Sequence, residues 1–195
     1  AEITAECNPA DVDRAFFEIL KQGGFNRISM GLQSANAEEL KLLGRRHAAE
    51  DVQKAVWAAR EAGIGNVSVD LMLALPDSTC ETLANSIDFC AKLGADHVSA
   101  YILKIEPGTP FAQRAGALRL PDEDGAADQY LFMVQRLKEL GYAQYEISNF
   151  TRPGKESRHN LQYWRCGEYL GIGPAAHSFV DGKRFYFPRD LEGFL

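Results

Sequence analysis

Three times in the first 96 residues a stretch short enough to be a strand gives way to a helix start, a helical apolar stripe and a closing glycine, and a fourth strand then follows. That repetition leaves few folds open. Ala1 to Cys7 reads as a short strand, with Asn8 as an N-cap and Pro9 at the first helical position. Ala15, Phe16, Ile19 and Leu20 then recur at helical spacing until Gly23 and Gly24. The second strand is Arg27 to Gln33, where Ile28, Met30 and Leu32 alternate with small or polar residues. Asn36, three residues before Glu39, opens a short helix through Leu43 as a capping box, and Gly44 closes it. Ala49 to Ala62 is a further helix with Val52, Val56 and Trp57 on one side.

Val67 to Leu75, apolar except for Ser68 and Asp70, has the composition of a parallel strand covered on both faces. Ser78 and Glu81 form the next capping box, and Leu83, Ile87 and Cys90 stripe a helix ending at Gly94. His97 to Ile105 is the fourth strand. Every crossover contains a helix, so the class is α/β with a parallel sheet and right-handed connections. Four strands are too few to close a barrel. Beyond Glu106 the rhythm changes: a turn-rich break at Pro107 to Pro110, a long amphipathic helix from Asp122 to Leu140, and a strand from Tyr142 to Phe150. Thr151 to Trp164 reads as a polar loop, Leu170 to Ala176 as a close backbone approach, and Ser178 to Phe187 as a hairpin turning at Asp181 and Gly182.

Composition narrows the function. The chain has 195 residues, is 46% hydrophobic and 25% charged, and carries a net charge of −6. That charge argues against general nucleic-acid binding, which needs a basic surface, and favours a small organic ligand. No apolar run approaches the roughly 20 residues that span a bilayer, so a soluble cytoplasmic protein is expected. Cys7, Cys80, Cys90 and Cys166 lack the short spacings of zinc or iron–sulfur sites, and His47, His97, His159 and His177 share no metal-ligand spacing. No metal site is therefore expected within this chain. The start at Ala1 and the stop after Asp190 and Leu191 read as cuts in a longer protein.

Four polar residues stand where a buried parallel strand or its exit would present them: Glu6, Gln33, Arg45 and Asp70. In a parallel sheet Gln33 lies at the C-terminal strand ends, where α/β folds bind ligands. Carboxylates can take both hydroxyls of a ribose, arginine holds a carboxylate in a fork, and an amide both donates and accepts. The set fits a zwitterionic ligand carrying a sugar; an internal ion pair of Arg45 with Asp70 fits the spacing equally well. Asp70 is the sharpest signal, because an unpartnered carboxylate in a buried strand costs roughly 3 to 5 kcal/mol. Gly171-Ile172-Gly173 is weak support for a nucleotide, since no longer glycine motif continues from it.

Glu6-Cys7-Asn8-Pro9, Asn26 to Gln33, Gly44-Arg45-Arg46-His47, and Asp70-Leu71-Met72 with Leu75-Pro76 together resemble the oxygen-independent coproporphyrinogen III oxidase superfamily of radical S-adenosylmethionine (SAM) proteins. The resemblance implies part of a (β/α)6 partial TIM-type barrel in residues 1–106. It also implies a barrel-covering α+β extension in 107–195, and it makes Glu6, Gln33, Arg45 and Asp70 the residues that contact S-adenosylmethionine. Tyr145 to Asn149, then His159-Asn160 and Tyr163-Trp164, resemble the HNxxYW branch of heme chaperones. That branch implies heme or porphyrin bound by these four residues, delivery to a client protein, and a 4Fe-4S cluster. The superfamily's CxxxCxxC motif is absent, so the cluster's ligands lie outside this chain, which is expected to be inactive alone. The oxidase, which decarboxylates coproporphyrinogen III, is the alternative that the resemblance leaves open.

Overall fold

The computed structural model describes residues 1–195, with Pro110 described by its backbone alone. The chain divides into two units, Ala1–Glu156 and Ser157–Leu195. The first contains β1 (Thr4–Cys7), α1 (Arg14–Gln22), β2 (Arg27–Gln33), α2 (Ala37–Leu42), α3 (Ala49–Glu61), β3 (Asn66–Leu73), α4 (Cys80–Lys92), β4 (His97–Ile102), α5 (Pro110–Gln113), α6 (Glu123–Glu139), β5 (Ala143–Gln144) and β6 (Asn149–Thr151). Its sheet runs β1-β2-β3-β4-β6-β5. The first four strands are parallel and the last two form an antiparallel hairpin on the β4 edge.

One sheet face is apolar. Ile28, Met30, Leu32, Val67, Val69, Leu71, Leu73, Val98 and Phe150 are buried against Phe17, Val52, Val56, Ile87, Cys90, Met133 and Leu137 of the helices. Each large side chain buried in this way contributes about 1.5 to 3 kcal/mol. The opposite face is polar, because side chains alternate along a strand while laterally paired residues share a side. Glu6, Ser29, Ser68, His97 and Thr151 form one row across it, and Gly31, Asp70, Ser99 and Asn149 form the next. The third strand is thus not apolar on both sides, as its composition suggested: Ser68 and Asp70 belong to a continuous polar surface.

Several local expectations change. Asn8 caps only a 3-10 turn, and α1 starts five residues later from Asp13, whose side chain accepts from the Phe16 amide at 2.8 Å. The helix therefore buries Phe17 completely and leaves Ile19 69% exposed. Asn36 makes no side-chain cap; its amide instead reaches the Thr82 carbonyl at 2.8 Å and the Glu39 carboxylate at 3.3 Å. The capping box of α4 is Thr79 with Thr82, not Ser78 with Glu81. Ser78 joins Gln129 of α6 instead, and Gln129 also accepts from the Ala74 amide at 3.0 Å, fastening the β3 exit. Trp57 is 53% exposed although Val52 and Val56 are buried. The expected strand over residues 142–150 is a hairpin of two short strands, with the Tyr142 hydroxyl donating to Ala95 O at 2.7 Å.

The second unit holds α7 (Arg158–Trp164), β7 (His177–Val180), β8 (Lys183–Tyr186) and α8 (Leu191–Phe194). The hairpin turns where expected, at Asp181 (φ 50°) and Gly182 (φ 70°), the two left-handed residues of a tight hairpin turn. Gly171 makes the close approach read from the sequence: a Cβ there would collide with the His177 carbonyl. Residues 158–164, expected as loop, are helical from a Ser157 N-cap.

The shifted start of α1 is testable. Phe17→Ala should cost about 3 to 5 kcal/mol in urea unfolding, whereas Ile19→Ala should stay within about 0.5 kcal/mol of the parent. The reverse order would restore the face with Ile19 inward.

Candidate functional site

Asp70 anchors the polar face. The Ser29 hydroxyl lies 3.0 Å from its Oδ1 and 3.2 Å from its Oδ2. Burial raises the Asp70 pKa and the Glu6 charge adds to that, while the Ser29 and Ser99 hydroxyls and the Arg27 charge oppose it. Burial dominates. The Arg45–Asp70 ion pair allowed by the spacing does not form, and none of the influences on Asp70 comes from Arg45.

Gln33 reaches this face through an irregularity. The β2–β3 register slips between Gly31 and Gln33, and Gln33 takes a left-handed φ of 66°. Such a backbone costs a non-glycine residue on the order of 1 kcal/mol and marks a place where structure is held for another purpose. Gly31, directly opposite Asp70, makes room: a Cβ there would stand 2.8 Å from Gln33 Nε2. The amide is therefore folded back over Gly31.

Arg45 is tied to the same strand end indirectly. His47, buried two residues on, donates from Nε2 to the Leu32 carbonyl at 3.1 Å. Arg45 itself is exposed and lines a cleft of about 370 Å³ with Leu40, His47 and Ala49. Glu6, also exposed, sits in the row of Ser29 and is close enough for its charge to act on Asp70. Glu6, Gln33 and Asp70 thus share one face, with Arg45 near the end of its second strand.

Sequence reasoning passed over Ser29, Ser99 and Arg27, all buried on this face. It also passed over a neutral chain in which Ser68 Oγ meets His97 Nδ1 at 2.8 Å and His97 Nε2 meets the Tyr145 hydroxyl at 2.8 Å. Burial, helped by Arg27, pushes the His97 pKa down to about 3, so the imidazole is uncharged.

All four cysteines are free, and among the described residues no group of three or more His, Cys, Asp or Glu could hold a metal ion. Burial and then the Glu6 charge push the Cys7 thiol up to about 11.

In the second unit the expected heme residues share α7. His159 and Tyr163 are one turn apart, with Nε2 and the hydroxyl 2.8 Å from each other and the rings edge to face. Tyr163 packs in turn on Tyr169 at 4.5 Å. Asn160 donates its amide N–H to the capping Ser157 hydroxyl, and Trp164 is more than half exposed. Of the cations flanking this helix in the sequence, two have their partners in the first unit. Arg152 donates to Leu140 O at 3.0 Å and lies over the Tyr142 ring, and Lys155 pairs with Asp96 at 3.4 Å, both in the first unit. Only Arg158 is on α7.

The raised Asp70 pKa has a stability consequence. A carboxyl held above its unfolded pKa contributes stability at low pH and loses it as pH rises through the folded value. Asp70→Asn should therefore stabilise the ligand-free protein near neutral pH, and the gain should shrink in acid, where the carboxyl takes up its proton. Urea unfolding at both pH values checks it; equal effects would mean that burial does not govern this carboxyl.

Known proteins give this geometry a family. Residues 1–90 match the Radical SAM superfamily. The chain is 40% identical over 186 residues to the heme chaperone HemW of Bacillus subtilis (strain 168), covering 94% of this chain and 49% of that protein. It is 41% identical over 200 residues to the heme chaperone HemW of Escherichia coli (strain K12), covering 100% and 52%. It thus spans about half the length of the curated relatives it matches. The solved structure of coproporphyrinogen III oxidase (HemN) from Escherichia coli superposes with a TM-score of 0.83 at 26% identity, over 98% of this chain and 47% of that one. The parallel sheet with its helical crossovers is accordingly part of a radical SAM partial barrel, and the chain resembles the HemW branch of the radical SAM superfamily.

Proposed function

We propose that this chain forms the later part of the barrel in a heme chaperone, holding S-adenosylmethionine through Glu6, Gln33, Arg45 and Asp70. On the same proposal His159, Asn160, Tyr163 and Trp164 contact heme, which the complete protein passes to a client. The observation that carries the cofactor reading is the largely buried Asp70 carboxylate, bonded to neutral hydroxyls on a face that also carries Gln33 in a strained backbone. Such a carboxylate accepts readily from a ligand's hydroxyls, and the exposed Glu6 offers a second acceptor on the same face. Arg45 brings a two-point donor suited to a ligand carboxylate.

When bound, S-adenosylmethionine supplies a sulfonium centre whose reductive cleavage gives a radical. Among the described residues the four cysteines do not gather as ligands for a 4Fe-4S cluster. Heme is cargo on this reading. The His159–Tyr163 pair offers an imidazole held in one orientation beside an aromatic face, a combination suited to a porphyrin. The similarity to curated heme chaperones at about 40% identity favours this role over the oxidase, for which the HemN likeness speaks as that of a related protein.

Titrating the full-length protein with heme, and assaying it for coproporphyrinogen III turnover, separates the two. Stoichiometric heme binding without turnover is expected. His159→Ala should weaken heme binding roughly tenfold, about 1.4 kcal/mol, or shift the Soret band, while the S-adenosylmethionine affinity stays unchanged. Heme binding equal to wild type would transfer the ligand role to Cys166 or His177 and leave α7 a structural anchor.

A further inference from the structure

We propose that Ser29 is a positioning residue of this site: its hydroxyl, in contact with both carboxylate oxygens of Asp70, fixes the orientation in which Asp70 meets S-adenosylmethionine. The inference rests on the cofactor reading of Asp70. An aspartate carboxyl rotates broadly about its last torsion unless something holds its plane. The direct β2 neighbour of Asp70 is Gly31, which has no side chain to do so. Ser29, two residues earlier on the same face of β2, does it from the diagonal, at 3.0 and 3.2 Å. Ser99, paired with Asp70 on β4, assists from the other side.

The donor type matters as much as the geometry. The charged groups facing Asp70 are Glu6 on β1 and Arg27 on β2, with opposite effects. Ser29 favours the anion without bringing a charge that would compete for the ligand. It is itself buried, so the ligand meets Asp70 rather than Ser29. Removing the hydroxyl leaves burial and Glu6 less opposed, so that Asp70 takes up a proton at higher pH and presents a rotated carboxyl.

The test uses the full-length protein and S-adenosylmethionine dissociation constants from about pH 5.5 to 8 for wild type, Ser29→Ala, Ser29→Thr, Asp70→Asn and the Ser29→Ala/Asp70→Asn double variant. Ser29→Ala should weaken binding about tenfold near neutral pH, the scale of a hydrogen bond to a charged group, with a greater loss as pH falls. Ser29→Thr, which keeps the hydroxyl, should restore affinity. In the Asp70→Asn background Ser29→Ala should add nothing. A Ser29→Ala affinity equal to wild type, a loss independent of pH, or a loss additive with Asp70→Asn would overturn the positioning role. Asp70→Asn binding as wild type does would instead overturn the cofactor reading, and the proposal with it. Should Ser29→Ala fail to fold, Ser29→Cys, similar in shape with a weak donor, replaces it with the same deciding outcomes.

Discussion

A carboxylate that the sheet has largely taken out of water, with only neutral hydroxyls as direct partners, sets the terms for the rest of the first unit. Asp70 has no means of relaxing. Val69 and Leu71, its chain neighbours, are fully buried on the opposite face among the helices. A one-residue slip of β3 would exchange the two faces along the whole strand and carry Asp70 in among the helices, so it offers no escape. Several apolar side chains, each worth about 1.5 to 3 kcal/mol, would lose their burial in that slip. The core therefore holds Asp70 in place against its own solvation preference. A ligand hydroxyl reaching it gains an acceptor already desolvated and oriented.

The loops after β2 and β3 are each fastened by side-chain hydrogen bonds. At the β2 exit the register slip and the left-handed Gln33 are pinned from both sides: His47 holds the Leu32 carbonyl, and Ser34, Asn36 and Glu39 bond to one another and to Ser86 and Thr82 of α4. At the β3 exit Gln129 holds Ala74 and Ser78. These bonds offset the strain of the irregular backbone. They also explain why α4 and α6, which contribute none of the proposed ligand contacts, carry buried polar residues at all.

Most of the strands and helices were legible in the sequence because the apolar residues repeat cleanly and glycines close the helices. Asp70 stood out for the same reason, a charge inside an apolar run. Ser29 and Ser99 carry no such signal: each is a small hydroxyl of the kind any half-polar strand holds, and only the strand register sets both beside Asp70. Period-two alternation at 27-29-31-33, 66-68-70 and 97-99 carries the central part of the polar face. The face of α1 was misjudged for a different reason: Phe16 and Phe17 are adjacent, and only the true N-cap, Asp13 rather than Asn8, decides which turns inward. Helix α7 was hidden by its polar composition and its length of seven residues, although the one-turn spacing of His159 and Tyr163 was its signal.

That same spacing constrains how the second unit could use His159. Its Nε2 is engaged by the Tyr163 hydroxyl, so an iron approaching that nitrogen must displace a hydrogen bond whose net worth is about 1 kcal/mol. A metal–imidazole bond readily exceeds that. The cost is small, and the contact orients the ring, with Tyr163 itself packed edge to face on Tyr169. On the heme-chaperone reading, a carrier must bind its cargo and then release it. An imidazole with a competing partner one turn away suits that task better than an unopposed ligand, because the hydroxyl reclaims the nitrogen when the iron departs.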